Sequence, residues 1–123
     1  MKACLANEPI PLYNSGRDAD NFYHINNYCE AATLALNSQK AVGEIFNVGT
    51  GQETTVRQLA IMIKEITGSR SKLQILPPRT QLEAKPRRTN PSISKIRRVL
   101  SYKPVLGLRE GLEQTLEWYR KTP

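Results

Sequence analysis

At 123 residues, 39% of them apolar and seven of them glycine, the chain has the length and composition of one modest globular domain with a single core. No apolar run approaches the ~18 residues of a membrane helix, and the start, Met1 to Gly16, has one lysine and no sustained apolar stretch, so neither a spanning helix nor a signal peptide is expected. Cys4 and Cys29 form no CxxC and His24 is the one histidine, which argues against structural zinc and fits free thiols in a reducing cytoplasm.

The formal net charge of +7 is unevenly placed. Residues 1–61 carry four Lys/Arg against six Asp/Glu, whereas residues 62–123 carry fourteen against five. A basic half suits an anionic partner, either a nucleic acid or a phosphorylated small molecule, and equally suits a solvated helical surface.

In chain order, proline-spaced apolar residues predict a short strand at Ile10–Tyr13. The Asn14-Ser15-Gly16 cluster predicts a turn, and a second short strand follows near Phe22–Ile25. Asn27 with Glu30 three residues on predicts a capped helix with Ala31, Leu34 and Ala35 as its apolar stripe, ending at Asn37-Ser38. A strand at Glu44–Val48 leads into Gly49-Thr50-Gly51. Thr55 and Gln58 then form a capping box, with Val56, Leu59, Ala60 and Ile63 at helical spacing and Gly68 closing the helix. "KLQILPP" reads as a strand stopped by Pro77-Pro78, and "RTQLEAKPRRTNP" as a long basic loop without periodicity. A short helix starts at Ser92 with Ile93, Ile96, Val99 and Leu100 inward. After a Tyr102–Leu106 link, a last helix carries Leu108, Leu112, Leu116 and Tyr119. The fold class is mixed α/β: a small domain over residues 1–123 with a few short strands and four to five helices.

Strand, glycine turn and helix in "GEIFNVGTGQETTVRQLA" match the layout that cradles phosphates. The details do not. Gln52-Glu53-Thr54 follow Gly51, so the third glycine of a dinucleotide fingerprint is absent, Glu53 sets a negative charge where a pyrophosphate would lie, and no Gly-Lys-Ser/Thr follows. The stretch reads as a structural turn whose glycines accept positive φ.

The same stretch resembles one in the C-terminal, substrate-binding part of the extended short-chain dehydrogenase/reductases, the NAD-dependent nucleotide-sugar epimerases, decarboxylases and dehydratases. "NEPIPLYNSGRDADNFYHINNYCEAA" resembles that family's Gly-Glu-Pro-Ile segment, Tyr-Gly-x-Gly turn and Arg-Asp-Phe run. "LPPR" and "PSISKIRRVLSYKPVLGLREGLEQTLEWYR" resemble its tail, so the likeness covers nearly the whole chain in order. It departs where Asp20-Asn21 stand for Arg-Asp, Asn26-Asn27 for Asp-Asp, and Ser92 for an aspartate.

The resemblance implies a nucleotide-sugar ligand such as a UDP-sugar. Arg79 matches a family arginine on the pyrophosphate, Arg88 lies on the same loop, and Tyr13 would lie beside the nucleotide base; each residue also fits a plain surface or strand position. Family catalysis uses NAD held at an N-terminal glycine-rich turn and a Tyr-x-x-x-Lys pair. No tyrosine here has lysine four residues on, and no G-x-x-G-x-x-G occurs. No catalytic residue, cofactor or metal is therefore expected within these residues, and as a truncated, substrate-binding part they are not expected to turn over a sugar alone. Two other readings are an oligomerising or protein-interaction module, since uncovered apolar faces favour a homo-oligomer or a partner chain, and a basic nucleic-acid-binding module. The last is disfavoured by the absence of any helix-turn-helix, RNA-recognition or zinc signature.

Overall fold

The computed structural model describes residues 1–121. Among them are five α-helices and five short strands: α1 (Lys2–Leu5), β1 (Ile10–Tyr13), β2 (Ala19–Asp20), α2 (Ile25–Leu36), β3 (Thr54–Thr55), α3 (Val56–Thr67), β4 (Leu73–Leu76), β5 (Arg88–Thr89), α4 (Ser94–Leu100) and α5 (Leu108–Lys121). The mixed α/β expectation holds, and no helix among the described residues is long and apolar enough to cross a membrane. β1 and β4 pair in parallel, from Ile10 opposite Leu73 to Tyr13 opposite Leu76. A three-stranded sheet of two-residue strands places β2 centrally, antiparallel to β3 and parallel to β5.

Helix α3 forms where its signals lie. The Thr55 hydroxyl accepts from the Gln58 amide at 3.1 Å, the Gln58 side chain accepts from the Thr55 amide at 2.8 Å, and Gly68 closes the helix at φ 65°. Both reciprocal bonds satisfy amides that have no partner inside the helix. The apolar residues in and just ahead of α4 reach the core as expected, with Ile93, Ile96 and Leu100 clustered with Ala31 of α2 and with Tyr102. Leu34, Ala35, Ala41, Phe46, Val48 and Val99 pack around this cluster.

Four expectations are corrected. Phe22–Ile25 is not a strand; the pairing lies earlier, at Ala19–Asp20, and Ile25 already begins α2. The cap of α2 is His24, whose Nδ1 accepts from the Asn26 amide at 3.3 Å, not Asn27. Asn27 sits inside the helix, fully buried. Its Oδ1 accepts from the amides of Val105 (2.8 Å) and Leu106 (2.9 Å), and its Nδ2 donates to the Leu106 carbonyl (2.9 Å). A polar side chain so placed is tolerated because each of these groups finds a partner. Glu44–Val48 forms no strand, because among the described residues no strand pairs with it, and Ile45 remains 85% exposed. Finally, the basic loop is not wholly irregular: Arg88–Thr89 joins the sheet as β5, and the short helix that follows begins at Ser94, two residues after Ser92.

Candidate functional site

The glycine turn is locked from three sides. Gly51 has φ 76°, where a side chain would be strained. Gly49 is glycine for a different reason: a Cβ there would lie 2.7 Å from Asn21 Oδ1. That oxygen accepts from both the amide (3.0 Å) and the hydroxyl (3.2 Å) of Thr50, while Asn21 Nδ2 donates to Asn90 Oδ1 at 2.9 Å. The Tyr102 hydroxyl donates to the Gly49 carbonyl at 3.1 Å, and burial pushes its phenol pKa up. The Thr50 amide is therefore committed to protein, and the space over Gly49 is filled by a side chain. The turn does not fit the pyrophosphate of a dinucleotide, and the structural-turn expectation holds.

The basic loop between β4 and α4 is the more promising ground. The parallel register puts Tyr13 beside Leu76, and Pro77-Pro78 end the strand so that the chain turns back over β1. Arg79 thereby lays its guanidinium 4.6 Å from the centre of the Tyr13 ring, a cation–π contact with a tyrosine that is 39% exposed. The Arg79 fork is filled by Glu83: Nη2 donates at 2.7 Å and Nε at 3.1 and 3.2 Å to the two carboxylate oxygens, and the Arg79 amide adds a bond of 2.8 Å. This guanidinium holds the Glu83 carboxyl below its usual pKa, chiefly through the side-chain hydrogen bond.

Asn14 secures the loop from below. Its Nδ2 donates to the Glu83 carbonyl at 2.6 Å, and its Oδ1 accepts from Arg17 Nη2 at 2.7 Å. Asn14, Ser15 and Gly16 run through three consecutive left-handed conformations, φ 49°, 59° and 66°. Glycine is needed at the third, since a Cβ on Gly16 would lie 2.9 Å from the Arg57 amide nitrogen.

Arg88 lies on β5, and its fork is also filled. Nε and Nη2 donate to the two Glu53 oxygens at 2.7 and 3.1 Å, and the hydrogen bond from Arg88 lowers the Glu53 pKa. The Asp18 carboxylate accepts from the Arg87 amide at 2.8 Å and fixes the loop's return. Of the three site residues expected from the sequence, Arg79 and Tyr13 are in contact, whereas Arg88 turns to the glycine-turn segment through Glu53. Asp20, at the position where the family resemblance expects arginine, accepts from the Asn21 amide at 2.8 Å. Sequence reasoning missed Glu83, and it gave Glu53 a charge and Asn14 a turn without the partners they have here. The four-residue spacing of Arg79 and Glu83 was a readable signal; the Glu53–Arg88 pair spans 35 residues and left none.

No protein-family model matches the chain. Curated proteins and solved structures do. It is 30% identical to a dTDP-glucose 4,6-dehydratase of an Actinoplanes species, over 90% of this chain and 34% of that protein. It is 32% identical to GDP-L-fucose synthase 1 of Arabidopsis thaliana, over 93% of this chain and 34% of that protein. The crystal structure of UDP-glucose 4-epimerase with UDP-glucose from Thermotoga maritima superposes with a TM-score of 0.85 at 30% identity, covering 98% of this chain and 37% of that one. A Bordetella bronchiseptica enzyme in complex with NAD+ and UDP gives a TM-score of 0.80 at 28% identity, covering 97% of this chain and 34% of that one. The chain thus spans about a third of the length of the proteins it matches. Over nearly all of its length, it is homologous to a part of the NAD-dependent nucleotide-sugar epimerases and dehydratases of the extended short-chain dehydrogenase/reductase family.

Proposed function

We propose that these residues serve as the substrate-binding part of a nucleotide-sugar epimerase or dehydratase, with a UDP-sugar or similar nucleotide diphosphate as ligand. Arg79 and Arg88 would take the phosphates, with Tyr13 beside the nucleotide. The reading assigns neither catalysis nor NAD binding to these residues, since they hold no Tyr-x-x-x-Lys pair and no free glycine cradle. The observation that carries it is Arg79 over Tyr13: a guanidinium fork, suited to phosphate oxygens, set against an exposed aromatic ring at a strand end. The relatives support it, since the Thermotoga epimerase structure contains UDP-glucose. Amide-resolved NMR titration with UDP and UDP-glucose tests it. Shifts on residues 77–88 and around Tyr13, lost in Arg79→Ala, are expected; a silent titration would sink the reading.

A second reading, association, rests on a different surface. Leu36 at the end of α2, and Val42 and Ile45 in the unpaired segment between α2 and the glycine turn, are 87%, 73% and 85% exposed. Apolar side chains this exposed and close in sequence favour contact with another chain, and we propose a second copy as the occupant when these residues are studied alone. Sedimentation across a concentration series is expected to show a dimer that Ile45→Asp dissolves, and a monomer at every concentration would refute it. Nucleic-acid binding is less favoured, because Arg79, Arg88, Lys95 and Arg109 are already in ion pairs; steeply salt-dependent binding to generic DNA would revive it.

A further inference from the structure

Both arginines proposed to take phosphate are occupied in the same manner. Each donates from Nε and Nη2 to one glutamate: Arg88 sends one bond to each Glu53 oxygen, and Arg79 sends both donors to Glu83 Oε1 with Nε shared to Oε2. A carboxylate held this way mimics two oxygens of a phosphate. Neither glutamate is a chance neighbour. Glu83 is anchored through its own backbone by Asn14 and receives the Arg79 amide as well. Glu53 is carried by the locked glycine turn, immediately ahead of β3, in the sheet that also contains β5.

We propose that Glu83 and Glu53 are specificity-determining residues that act as built-in competitors, each at its own arginine fork, so that the fork admits multiply charged diphosphate groups and rejects single carboxylates. The inference rests on the anion-binding reading of Arg79 and Arg88 given above. A tethered carboxylate acts at an effective concentration on the order of millimolar. A free monocarboxylate offers the same two oxygens and the same charge without the tether, so it does not displace Glu83. A diphosphate carries more charge and more acceptor oxygens, and arginine bonds to such groups are among the stronger charge-assisted ones. It gains where the carboxylate only breaks even. Displaced Glu83 does not lose the loop, because Asn14 holds its carbonyl and not its side chain.

The test uses inorganic pyrophosphate and acetate as probes, with UDP alongside, on the same 123-residue chain. Affinities are read by calorimetry and by the Arg79 Nε–H resonance. Glu83→Gln is expected to bind pyrophosphate about two- to fivefold tighter than the parent, the range set by an exposed ion pair, and to acquire detectable acetate binding. Glu83→Gln combined with Arg79→Ala is expected to lose both. Asp20→Asn removes a charge near the loop without opening a fork, and is expected to give the smaller gain. Equal gains in Asp20→Asn and Glu83→Gln, or no gain in Glu83→Gln, would overturn the competitor role. If pyrophosphate behaves as expected and UDP stays silent in every variant, the competitor role stands and the nucleotide reading falls. If UDP binds parent and Glu83→Gln alike, the reverse holds.

Discussion

Replacing Asn27 by alanine removes a clamp that joins α2 to the link before α5. Three hydrogen bonds disappear together: two amides, of Val105 and Leu106, and one carbonyl, of Leu106, lose their partner. A typical intramolecular hydrogen bond contributes about 1 kcal/mol net, and a buried group left unpaired costs about 1–3 kcal/mol. The link is part-buried, and Val105 is 52% exposed, so water reaches some of the freed groups and the lower end of that range applies. The sum is about 3 kcal/mol, which in a chain of this size lowers the melting temperature by roughly 10 °C. Urea denaturation gives the free-energy difference, and hydrogen exchange locates it, with the Val105 and Leu106 amides losing protection first. Asn26→Ala, one residue away and exposed, is the control and is expected to stay within about 0.5 kcal/mol of the parent. An Asn27→Ala variant within about 1 kcal/mol of the parent, with the Val105 and Leu106 amides still protected, would refute the clamp.

Other consequences can be measured on the same material. Gly49→Ala drives a methyl to within 2.7 Å of Asn21 Oδ1; a loss of about 1–3 kcal/mol is expected, with chemical-shift changes at Thr50 and Asn90. Thr55→Ala breaks the capping box of α3 and is expected to cost about 1 kcal/mol in urea denaturation. The Glu53 and Glu83 carboxyls are depressed in the folded chain, so their ion pairs stabilise above the unfolded glutamate value of about 4.3 and lose that contribution as pH falls through the lower folded values. Carbon-detected carboxyl titration is expected to show both midpoints low, with Arg79→Ala returning Glu83, and Arg88→Ala returning Glu53, toward the ordinary value. Tyr102 has the opposite displacement. Its folded pKa is raised by burial, so the stabilisation begins to fall above the unfolded tyrosine value of about 10, and ultraviolet titration is expected to find one phenol ionising after the others.

What could be read in advance was local. The capping box at Thr55 and Gln58, the closing Gly68, the strand at Ile10–Tyr13 and the inward face of α4 each depend on residues within a few positions of one another. What could not be read depended on a distant partner. Asn27 looks like a cap until Val105 and Leu106, 78 and 79 residues later, are in place. Glu44–Val48 has the composition of a strand, yet pairing is a property of two segments and the described residues supply only one. The site divides in the same way. Arg79 over Tyr13 follows from an arginine placed just past a strand that pairs with the strand of the tyrosine, and Glu83 four residues on was within reach of a local reading, but Glu53 in the Arg88 fork emerged only with the three-dimensional arrangement.

The parallel pairing of β1 with β4 has a consequence for how the chain is made. Ile10 waits for Leu73, Asn21 for Asn90 and Asn27 for Leu106, so these early residues cannot complete their bonds until partners 63 to 79 residues later have left the ribosome. Contacts this far apart close slowly, because the intervening chain must give up its freedom first. During that interval an unpaired strand edge and a polar helix side chain are open to solvent and to other nascent chains. Synthesis paused before Val105 would leave Asn27 without any of these partners.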